Sequence, residues 1–334
     1  MTRVAVLGAG AFGTALAKVL AEQDNPTQMW TRRAELAEAI NASHSNERYL
    51  PGLPLPETLV ATTDLAQAVD KAELVLFVVP SHATRDVAVA ARPYLPADAL
   101  VCNATKGIEN ETLMLMSEVM VDVLGEEALP RLTYFSGPSF AKELAGGVPT
   151  AVTVAGASPE AAARVQAEFA TANLRMYYTH DVAGVEVGGA LKNVIAIAAG
   201  AIDGLGFGLN TRAALMTRGL AEIGRLAAAK GAEPMTLAGL AGMGDLVLTC
   251  TGSLSRNRTV GVELGKGRTL DDILNTLGHV AEGVKTTKSA YELGRKLEVD
   301  MPITDQVYQV IYENKPAKKA LYDLMTRPLK HEQH

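Results

Sequence analysis

The segment from residue 4 to residue 22 constrains the fold more than any other part of this chain. Its first part, Val-Ala-Val-Leu at 4–7, is a short apolar run typical of a buried strand, and the glycine-rich stretch Gly-Ala-Gly-Ala-Phe-Gly follows at once, ahead of helix-forming residues. In such a unit Gly8 permits a tight turn, Gly10 lets the backbone approach a pyrophosphate, and Gly13 lets the helix pack on the strand. The segment therefore predicts a dinucleotide site at the start of a parallel sheet.

The rest of the chain divides into two patterns. Strand-like runs continue through the first half, at 27–31, 74–79, 100–105, 132–136, 150–155 and 174–178, with a helix at 159–172. Helical stretches follow, at 182–204, 211–230, 271–277, 283–297, 303–313 and 316–326. Strands that alternate with helices form mostly parallel sheets, whose ligands gather at the carboxyl ends of the strands. We predict an α/β fold with a Rossmann-type, mostly parallel sheet domain over 1–180, an all-helical substrate and catalytic domain over 181–327, and a disordered tail over 328–334.

Composition excludes several classes of protein. A formal charge of −6 argues against a broad nucleic-acid surface. The two cysteines, Cys102 and Cys250, are too few for a disulfide framework and suit buried thiols in a reducing cytoplasm. The six histidines are scattered without metal-ligand spacing, so no metal site is expected. Lys18 and three glycines interrupt the apolar run over 4–21, which argues against a signal or membrane segment. The sequence predicts a soluble, cytoplasmic protein.

The end of the second strand bears on the choice of dinucleotide. Rossmann-type proteins that bind NAD carry an acidic residue there for the ribose hydroxyl, whereas this chain has Arg32 and Arg33. Arginines at this point suit a 2′-phosphate and favour NADP over NAD. The alternative is that both arginines are solvated at the start of a helix. If only one of them contacts the 2′-phosphate, Arg32 is the stronger candidate.

One helix carries an unusual lysine. Residues 187–202 are small and apolar except for Lys192 and Asn193. An unpaired ammonium is costly in such surroundings, and burial lowers the pKa of a lysine towards neutrality, where it becomes a usable proton acceptor. With the dinucleotide turn, Lys192 predicts a cofactor-dependent redox enzyme.

A candidate anion site lies further along the chain. Ser255, Arg256 and Asn257 place a hydroxyl, a guanidinium and an amide at the start of a helix, which suits a phosphate. A capped helix with solvated arginines fits these residues about as well. Asp245, in a glycine-rich loop, is either the carboxylate that orients Lys192 or a turn residue.

Two further polar residues follow strand ends in the first half. Lys106 comes directly after one predicted strand and Ser139 shortly after another. Both are candidate contacts for substrate or nicotinamide, and ordinary loop residues are the alternative.

At the level of motifs the chain resembles the bacterial NAD(P)-dependent glycerol-3-phosphate dehydrogenases, up to about residue 326. The motifs that carry the resemblance are Gly-Ala-Gly-Ala-Phe-Gly-Thr-Ala-Leu-Ala at 8–17, Asn-Ala-Thr-Lys-Gly-Ile-Glu at 103–109, Ser-Gly-Pro-Ser-Phe-Ala at 136–141, Ala-Leu-Lys-Asn-Val-Ile-Ala at 190–196, Gly-Asp-Leu-Val-Leu-Thr-Cys-Thr at 244–251, Leu-Ser-Arg-Asn at 254–257 and Ala-Glu-Gly at 281–283. These soluble enzymes interconvert dihydroxyacetone phosphate and sn-glycerol 3-phosphate, which supplies phospholipid synthesis. The turn departs slightly from the family pattern, with Ala11-Phe12 where Ser and Tyr or Trp are common.

The resemblance implies roles residue by residue. Lys192 matches the proton acceptor, with Lys106 and Asp245 as its catalytic partners. The implied substrate contacts are Lys106, Gly137, Ser139, Lys192, Asp245, Ser255, Arg256 and Asn257. Besides the turn glycines Gly8, Gly10 and Gly13, the implied cofactor contacts are Ala11, Phe12, Arg32, Arg33, Tyr49, Lys106, Ala141, Arg256, Val280 and Glu282. We expect NADPH as cofactor, with NAD second, and a homodimer.

Two other functions fit parts of the same pattern. Hydroxyacid and ketopantoate reductases also combine a Rossmann domain, a helical domain and a catalytic lysine, but their substrates end in carboxylates. A non-catalytic NADPH sensor is the third reading, although such a protein needs neither the buried lysine nor a second anion site.

Overall fold

The first half of the chain forms one large sheet. The computed structural model describes residues 1–277, 281–329 and 331–332. Within them the strands are β1 Val4–Leu7, β2 Thr27–Trp30, β3 Ser45–Asn46, β4 Leu50–Pro54, β5 Leu59–Thr62, β6 Leu74–Phe77, β7 Leu100–Asn103, β8 Leu132–Ser136, β9 Thr150–Gly156 and β10 Leu174–Thr179. The sheet order is β10-β9-β8-β7-β6-β1-β2-β5, while β3 and β4 pair separately as a small antiparallel ribbon. Neighbouring strands are parallel except β8 and β9. The predicted mostly parallel sheet is confirmed.

Helices cover the sheet and then make up the second half. In chain order they are α1 Ala11–Ala21, α2 Ala34–Ser43, α3 Leu65–Val69, α4 Ser81–Ala91, α5 Met116–Leu124, α6 Ala141–Ala145, α7 Pro159–Phe169, α8 Val182–Gly204, α9 Leu209–Ala229, α10 Pro234–Leu237, α11 Asp245–Thr251, α12 Arg256–Gly265, α13 Leu270–Leu277, α14 Glu282–Lys296, α15 Pro302–Tyr312 and α16 Ala317–Met325. The α/β sheet region followed by an all-helical region agrees with the predicted fold class. Of the predicted tail, Lys330, Gln333 and His334 lie outside the described residues.

The central strands are buried on both faces because helices pack on both sides. Along β1 the side chains of Val4 and Val6 enter one apolar core, whereas Ala5 and Leu7 enter the other. This is the alternation that strand geometry imposes. Because β1, β2, β6, β7 and β8 are parallel, their carboxyl ends meet at one edge of the sheet. Ligands bind at this edge in folds of this type.

Helix α8 is the core of the second half. It is long and apolar enough to cross a membrane, yet 83% of its apolar window is buried inside the protein. Helix α12 crosses it at very short range, through glycines on both partners. A Cβ at Gly200 of α8 would lie 2.0 Å from the Arg258 carbonyl oxygen, and one at Gly261 of α12 would lie 2.0 Å from the Ile197 carbonyl oxygen. Backbone therefore touches backbone here, which fixes α12 against α8.

Candidate active site

The glycine turn after β1 has the form that its sequence predicts. Gly8 has φ +128°, and a Cβ there would lie 2.3 Å from the Val78 carbonyl oxygen. A Cβ at Gly13 would lie 1.9 Å from the Gly8 carbonyl oxygen. Gly10 is different, since no described atom beyond its two chain neighbours lies within 4 Å of its Cβ position. Two of the glycines are required by the fold itself, and the third faces open space.

The residues around this open space fit an anionic dinucleotide. Gly10 precedes α1, and no side chain caps this helix end or adds a negative charge to its first turn. The N–H groups of that turn are thus available to a pyrophosphate. Ala11 and Phe12 lie in the same turn, and the Phe12 ring packs edge-on against Phe135 at a centroid distance of 5.7 Å. Ala141 begins α6, which packs on α1.

The two arginines after β2 differ in their surroundings. Arg32 is exposed. Arg33 precedes α2 and donates from Nη1 to the Tyr49 hydroxyl at 3.0 Å. Tyr49 thus holds one guanidinium while the other is exposed to solvent, and the sequence-predicted trio Arg32, Arg33 and Tyr49 lies together.

A buried ion cluster joins the sheet edge to the helical half. Lys192 donates to Asp245 Oδ1 at 2.5 Å, and Lys106 donates to Asp245 Oδ2 at 2.7 Å. The Asp245 side chain is 1% exposed and that of Lys192 is 9% exposed. Lys106 also donates to the Gly137 carbonyl oxygen at 3.2 Å, and Lys192 to the Thr249 hydroxyl at 3.1 Å. One carboxylate therefore holds two ammonium groups, one from each half of the chain.

Burial and charge shift the pKa values of this cluster in useful directions. Burial lowers the pKa of Lys192 to about 8, against the opposing pull of Asp245. Burial alone would raise the pKa of Asp245, but the charges of Lys106 and Lys192 outweigh it and hold that pKa below its ordinary value. Asp245 therefore stays ionised, while Lys192 can exchange a proton near neutral pH.

Local structure explains how each member reaches the cluster. Lys106 follows the end of β7, and Gly137, with φ +135°, follows the end of β8. The prediction that Asp245 lies in a loop is wrong. Asp245 begins α11, and Leu240–Gly244 before it forms a π-helical turn. The glycines permit this compact turn because Gly242 packs directly on the backbone of α10, where a Cβ would lie 2.2 Å from the Leu237 carbonyl oxygen.

The predicted anion site at residues 255–257 is a helix start, and its three side chains behave differently. Ser255 caps α12 by accepting from the Arg258 N–H. Asn257 is buried, donates to Asn193 Oδ1 at 2.9 Å and accepts from the Gly283 N–H at 2.9 Å. Arg256 is exposed at the first position of the helix. Of these three residues, Arg256 is therefore the one whose charged side chain is exposed and available to a ligand. Asn257 instead links α8, α12 and α14 through its hydrogen bonds.

Two of the remaining predicted contacts lie in the loop after β8 and at the start of α14. Ser139 follows Gly137 and donates to the Gly137 carbonyl oxygen at 3.0 Å. Glu282 begins α14; burial raises the pKa of its carboxyl, while the charges of Arg256, Lys192 and Lys106 oppose that shift. The charges of these three cations therefore act on the Glu282 carboxyl. Val280 lies outside the described residues.

The chain matches known sequences over nearly its full length. Residues 3–162 match the family model described as NAD-dependent glycerol-3-phosphate dehydrogenase N-terminus, and residues 181–322 match the corresponding C-terminus. This chain belongs to that dehydrogenase family. Among the relatives, the glycerol-3-phosphate dehydrogenase [NAD(P)+] of Geobacter sp. (strain M21) is 54% identical over 99% of this chain and 98% of its own length. That of Myxococcus xanthus (strain DK1622) is 55% identical over the same shares.

A solved structure agrees with the sequence relatives. The crystal structure of glycerol-3-phosphate dehydrogenase from Coxiella burnetii superposes with a TM-score of 0.94 at 39% identity, covering 98% of this chain and 99% of that one. Both halves of this chain therefore share the fold of that dehydrogenase.

Two residues of this family member escaped the sequence analysis as parts of the site. Thr249 accepts from Lys192 and donates to the Asp245 carbonyl oxygen at 2.6 Å. Its spacing, four residues after Asp245 on one helix face, was the available signal. Asn193 anchors Asn257, and its signal was its position as the second polar side chain of the apolar segment 187–202.

The sequence also predicts the state of the two cysteines. Cys102 and Cys250 are both free and buried, as predicted. Among residues 1–277, 281–329 and 331–332, no group of three acidic, histidine or cysteine side chains could hold a metal ion.

Proposed function

We propose that this protein is an NAD(P)-dependent glycerol-3-phosphate dehydrogenase that reduces dihydroxyacetone phosphate to sn-glycerol 3-phosphate. The Lys192–Asp245–Lys106 cluster carries the proposal, because it places a buried lysine of lowered pKa at the ligand-binding edge of a dinucleotide sheet. Family membership and the names of the relatives support the same substrate and cofactor.

Binding of the cofactor is assigned to the turn after β1 and the residues around it. The backbone N–H groups at the start of α1 hold the pyrophosphate, and Arg32 with Arg33 reads a 2′-phosphate. The further cofactor contacts in this proposal are Gly8, Gly10, Ala11, Phe12, Gly13, Tyr49, Lys106, Ala141, Arg256, Val280 and Glu282. The exposed Arg32 guanidinium favours NADPH, with NADH as the weaker cofactor.

Lys192 manages the proton of the reaction. When bound, the reduced nicotinamide supplies a hydride to the carbonyl carbon of the substrate. Protonated Lys192 donates a proton to the substrate oxygen, and its charge stabilises the oxyanion that develops there. In the reverse direction neutral Lys192 accepts the hydroxyl proton. Asp245 keeps the ammonium oriented, and Lys106 steadies the substrate from the sheet side.

The phosphate of the substrate is assigned to the start of α12. Arg256 binds it with its guanidinium, assisted by the N–H groups of the helix end. Ser255 and Asn257 shape this end through the cap and the contacts to Asn193 and Gly283. Gly137 and Ser139 complete the substrate contacts from the end of β8. A ketoacid would offer a carboxylate instead, so substrate choice is the property to test.

The test compares substrates, cofactors and one matched pair of variants. Purified protein should oxidise NADPH in the presence of dihydroxyacetone phosphate, more slowly oxidise NADH, and leave ketoacids such as ketopantoate unreduced. Lys192→Met should lower kcat by about 10³-fold, within the range for loss of a general acid, and leave the Kd for NADPH unchanged. Lys142→Met, an exposed lysine on α6, is the control and should keep full activity. Turnover of the ketoacid alone, or substantial kcat in Lys192→Met, would overturn the proposal.

We further infer that the enzyme works as a cytoplasmic homodimer that feeds phospholipid synthesis. The apolar helices of the second half and the family support this inference. Light scattering on the purified protein should give twice the chain mass, and a monomeric mass at micromolar concentration would contradict it.

A further inference from the structure

A small chamber lies next to Lys106, between the sheet and α8. Its volume is about 10 Å³, which is close to the room that one water molecule needs. The sheet side contributes residues at the ends of β7 and β8, and α8 contributes one face of its first turns. The chamber is lined by Asn103, Thr105, Lys106, Gly107, Tyr134, Phe135, Ser136, Val185, Glu186 and Gly189.

Strand register brings three polar side chains to this chamber. Asn103 of β7 is paired with Tyr134 of the parallel neighbour β8, and Ser136 lies two residues further along β8. Paired residues, and residues two apart on one strand, project to the same face of a sheet. All three side chains consequently point towards α8, and they are only 2%, 4% and 2% exposed.

Each of these side chains has a polar atom without a partner. Asn103 Nδ2, Tyr134 Oη and Ser136 Oγ accept or donate no hydrogen bond within the described part of the chain. Buried polar groups are rarely left in this state, because the protein then gives up hydrogen bonds that the unfolded chain makes with water. Three such atoms around one cavity therefore indicate a shared polar ligand of the size of water.

The opposite wall of the chamber explains why α8 carries a glycine there. A Cβ at Gly189 would lie 2.6 Å from Ser136 Oγ and 3.7 Å from Lys106 Cγ. The glycine keeps the space open, and the Lys106 side chain passes along its rim on the way to Asp245. Glu186 forms another part of the wall, where its carboxylate accepts from the Ser117 N–H at 2.9 Å.

We propose that this chamber is a binding site for one water molecule, held by Asn103 Nδ2, Tyr134 Oη and Ser136 Oγ, and that this water positions Lys106 against Asp245. The amide donates to the water oxygen, and the two hydroxyls complete its hydrogen bonds. Three protein partners are the usual number for a buried water. The water fills the space beneath the Lys106 side chain, which prevents that chain from turning away from Asp245.

The first test is a crystal structure of the protein at high resolution. We expect one spherical density peak within about 2.6–3.2 Å of all three polar atoms, the ordinary range of hydrogen-bond lengths. A chamber without density, or side chains that turn to satisfy one another, would overturn the site. This readout is independent of the reaction, so it holds even if the proposed function fails.

The second test measures the positioning role, which rests on the proposed function. Ser136→Ala and Tyr134→Phe remove one water partner each and should lower kcat by about threefold to tenfold, the effect of one hydrogen bond. The Kd for NADPH and the unfolding midpoint should change no more than in Thr133→Val. Thr133 is the matched control, a fully buried hydroxyl on the other face of β8 that donates to the Val101 carbonyl oxygen. Wild-type kcat in both variants, or a loss equal to that of the control, would refute the positioning role. A wild-type protein inactive towards dihydroxyacetone phosphate would instead refute the proposed function.

Discussion

Gly10 and Gly261, one from each half of the molecule, serve opposite purposes. In the turn after β1, Gly10 faces a space with no described atom within 4 Å of its Cβ position. In the contact between α8 and α12, the Cβ position of Gly261 lies 2.0 Å from a backbone oxygen of the other helix. The first glycine leaves room for a ligand and the second leaves room for a helix. The comparison teaches that a missing side chain leaves space for a ligand at one position and allows close packing of backbone at another.

The largest effect is expected where a helix fills the space. Gly261→Ala forces a methyl group into the Ile197 carbonyl oxygen, and neither backbone can move without separating α8 from α12. We expect a loss of about 3 kcal/mol in the free energy of unfolding, at the upper end for overpacked cores. Urea unfolding measures it.

The matched control is a glycine on a helix with ordinary surroundings. At Gly224 of α9 the nearest atom to a Cβ would be a Leu237 methyl group 3.7 Å away. Gly224→Ala should therefore stabilise the protein by about 0.5–1 kcal/mol, the helix preference of alanine over glycine. Equal midpoints for Gly261→Ala and wild type would show that the tight helix contact is absent in solution.

The start of α12 allows binding and packing to be compared within one helix turn, because Arg256 is exposed and its neighbour Asn257 is buried. Arg256→Ala should leave the free energy of unfolding within about 0.5 kcal/mol of the wild-type value, because the side chain is exposed. It should raise KM for dihydroxyacetone phosphate at least tenfold, since charge-assisted hydrogen bonds contribute about 1.5–3 kcal/mol.

Asn257→Ala should lower the stability of the protein and change KM for dihydroxyacetone phosphate little. It leaves Asn193 and the Gly283 N–H without their partner, and the expected cost is about 1–3 kcal/mol of stability. If both variants altered KM alone, Asn257 would belong with the binding residues rather than the packing residues.

A smaller effect is expected at the open glycine. Gly10→Ala meets no described atom, and its φ of −75° suits alanine, so the stability of the unliganded protein should stay within about 0.5 kcal/mol. The methyl group occupies the space in which the cofactor is proposed to approach the backbone. The Kd for NADPH should rise about tenfold, or ~1.4 kcal/mol. Titration calorimetry measures it, and an unchanged Kd would mean that the cofactor does not approach Gly10.

The last prediction concerns pH rather than packing. The pKa of Lys192 is lowered to about 8 by burial. Reduction needs the protonated lysine, so kcat/KM for dihydroxyacetone phosphate should fall as pH rises through about 8. Oxidation of sn-glycerol 3-phosphate needs the neutral lysine, so its kcat/KM should rise over the same interval. Initial rates between pH 6 and 10 test this; parallel profiles in the two directions would exclude Lys192 as the proton carrier.

Local features could be predicted from sequence because their parts are neighbours in the chain. The glycine turn has its strand, its glycines and its helix within about twenty residues, and each glycine has a distinct geometric task. That Lys192 is buried with a polar partner could also be predicted, because an ammonium in an apolar helix requires a partner wherever that partner lies in the chain.

The identity of partners distant in sequence could not be predicted. Lys192 and Asp245 are 53 residues apart, and Asn193 and Asn257 are 64 apart. Asp245 was therefore equally consistent with a turn residue, and the preceding glycines suggested a loop where the chain forms a helical turn. The glycine faces of α8 and α12 become visible only when both helices are placed side by side.

The pairing of Lys106 with Asp245 has a mechanical consequence. Lys106 comes from the sheet and Asp245 from the helices, so the proposed catalytic cluster is also a clasp, an ion pair that joins the two halves. Any opening that parts the halves dismantles the centre at once, even if every strand and helix survives. On gentle heating, enzyme activity should therefore vanish before the far-ultraviolet circular dichroism changes. Activity is then the more sensitive measure of whether the two halves remain in contact through Lys106 and Asp245.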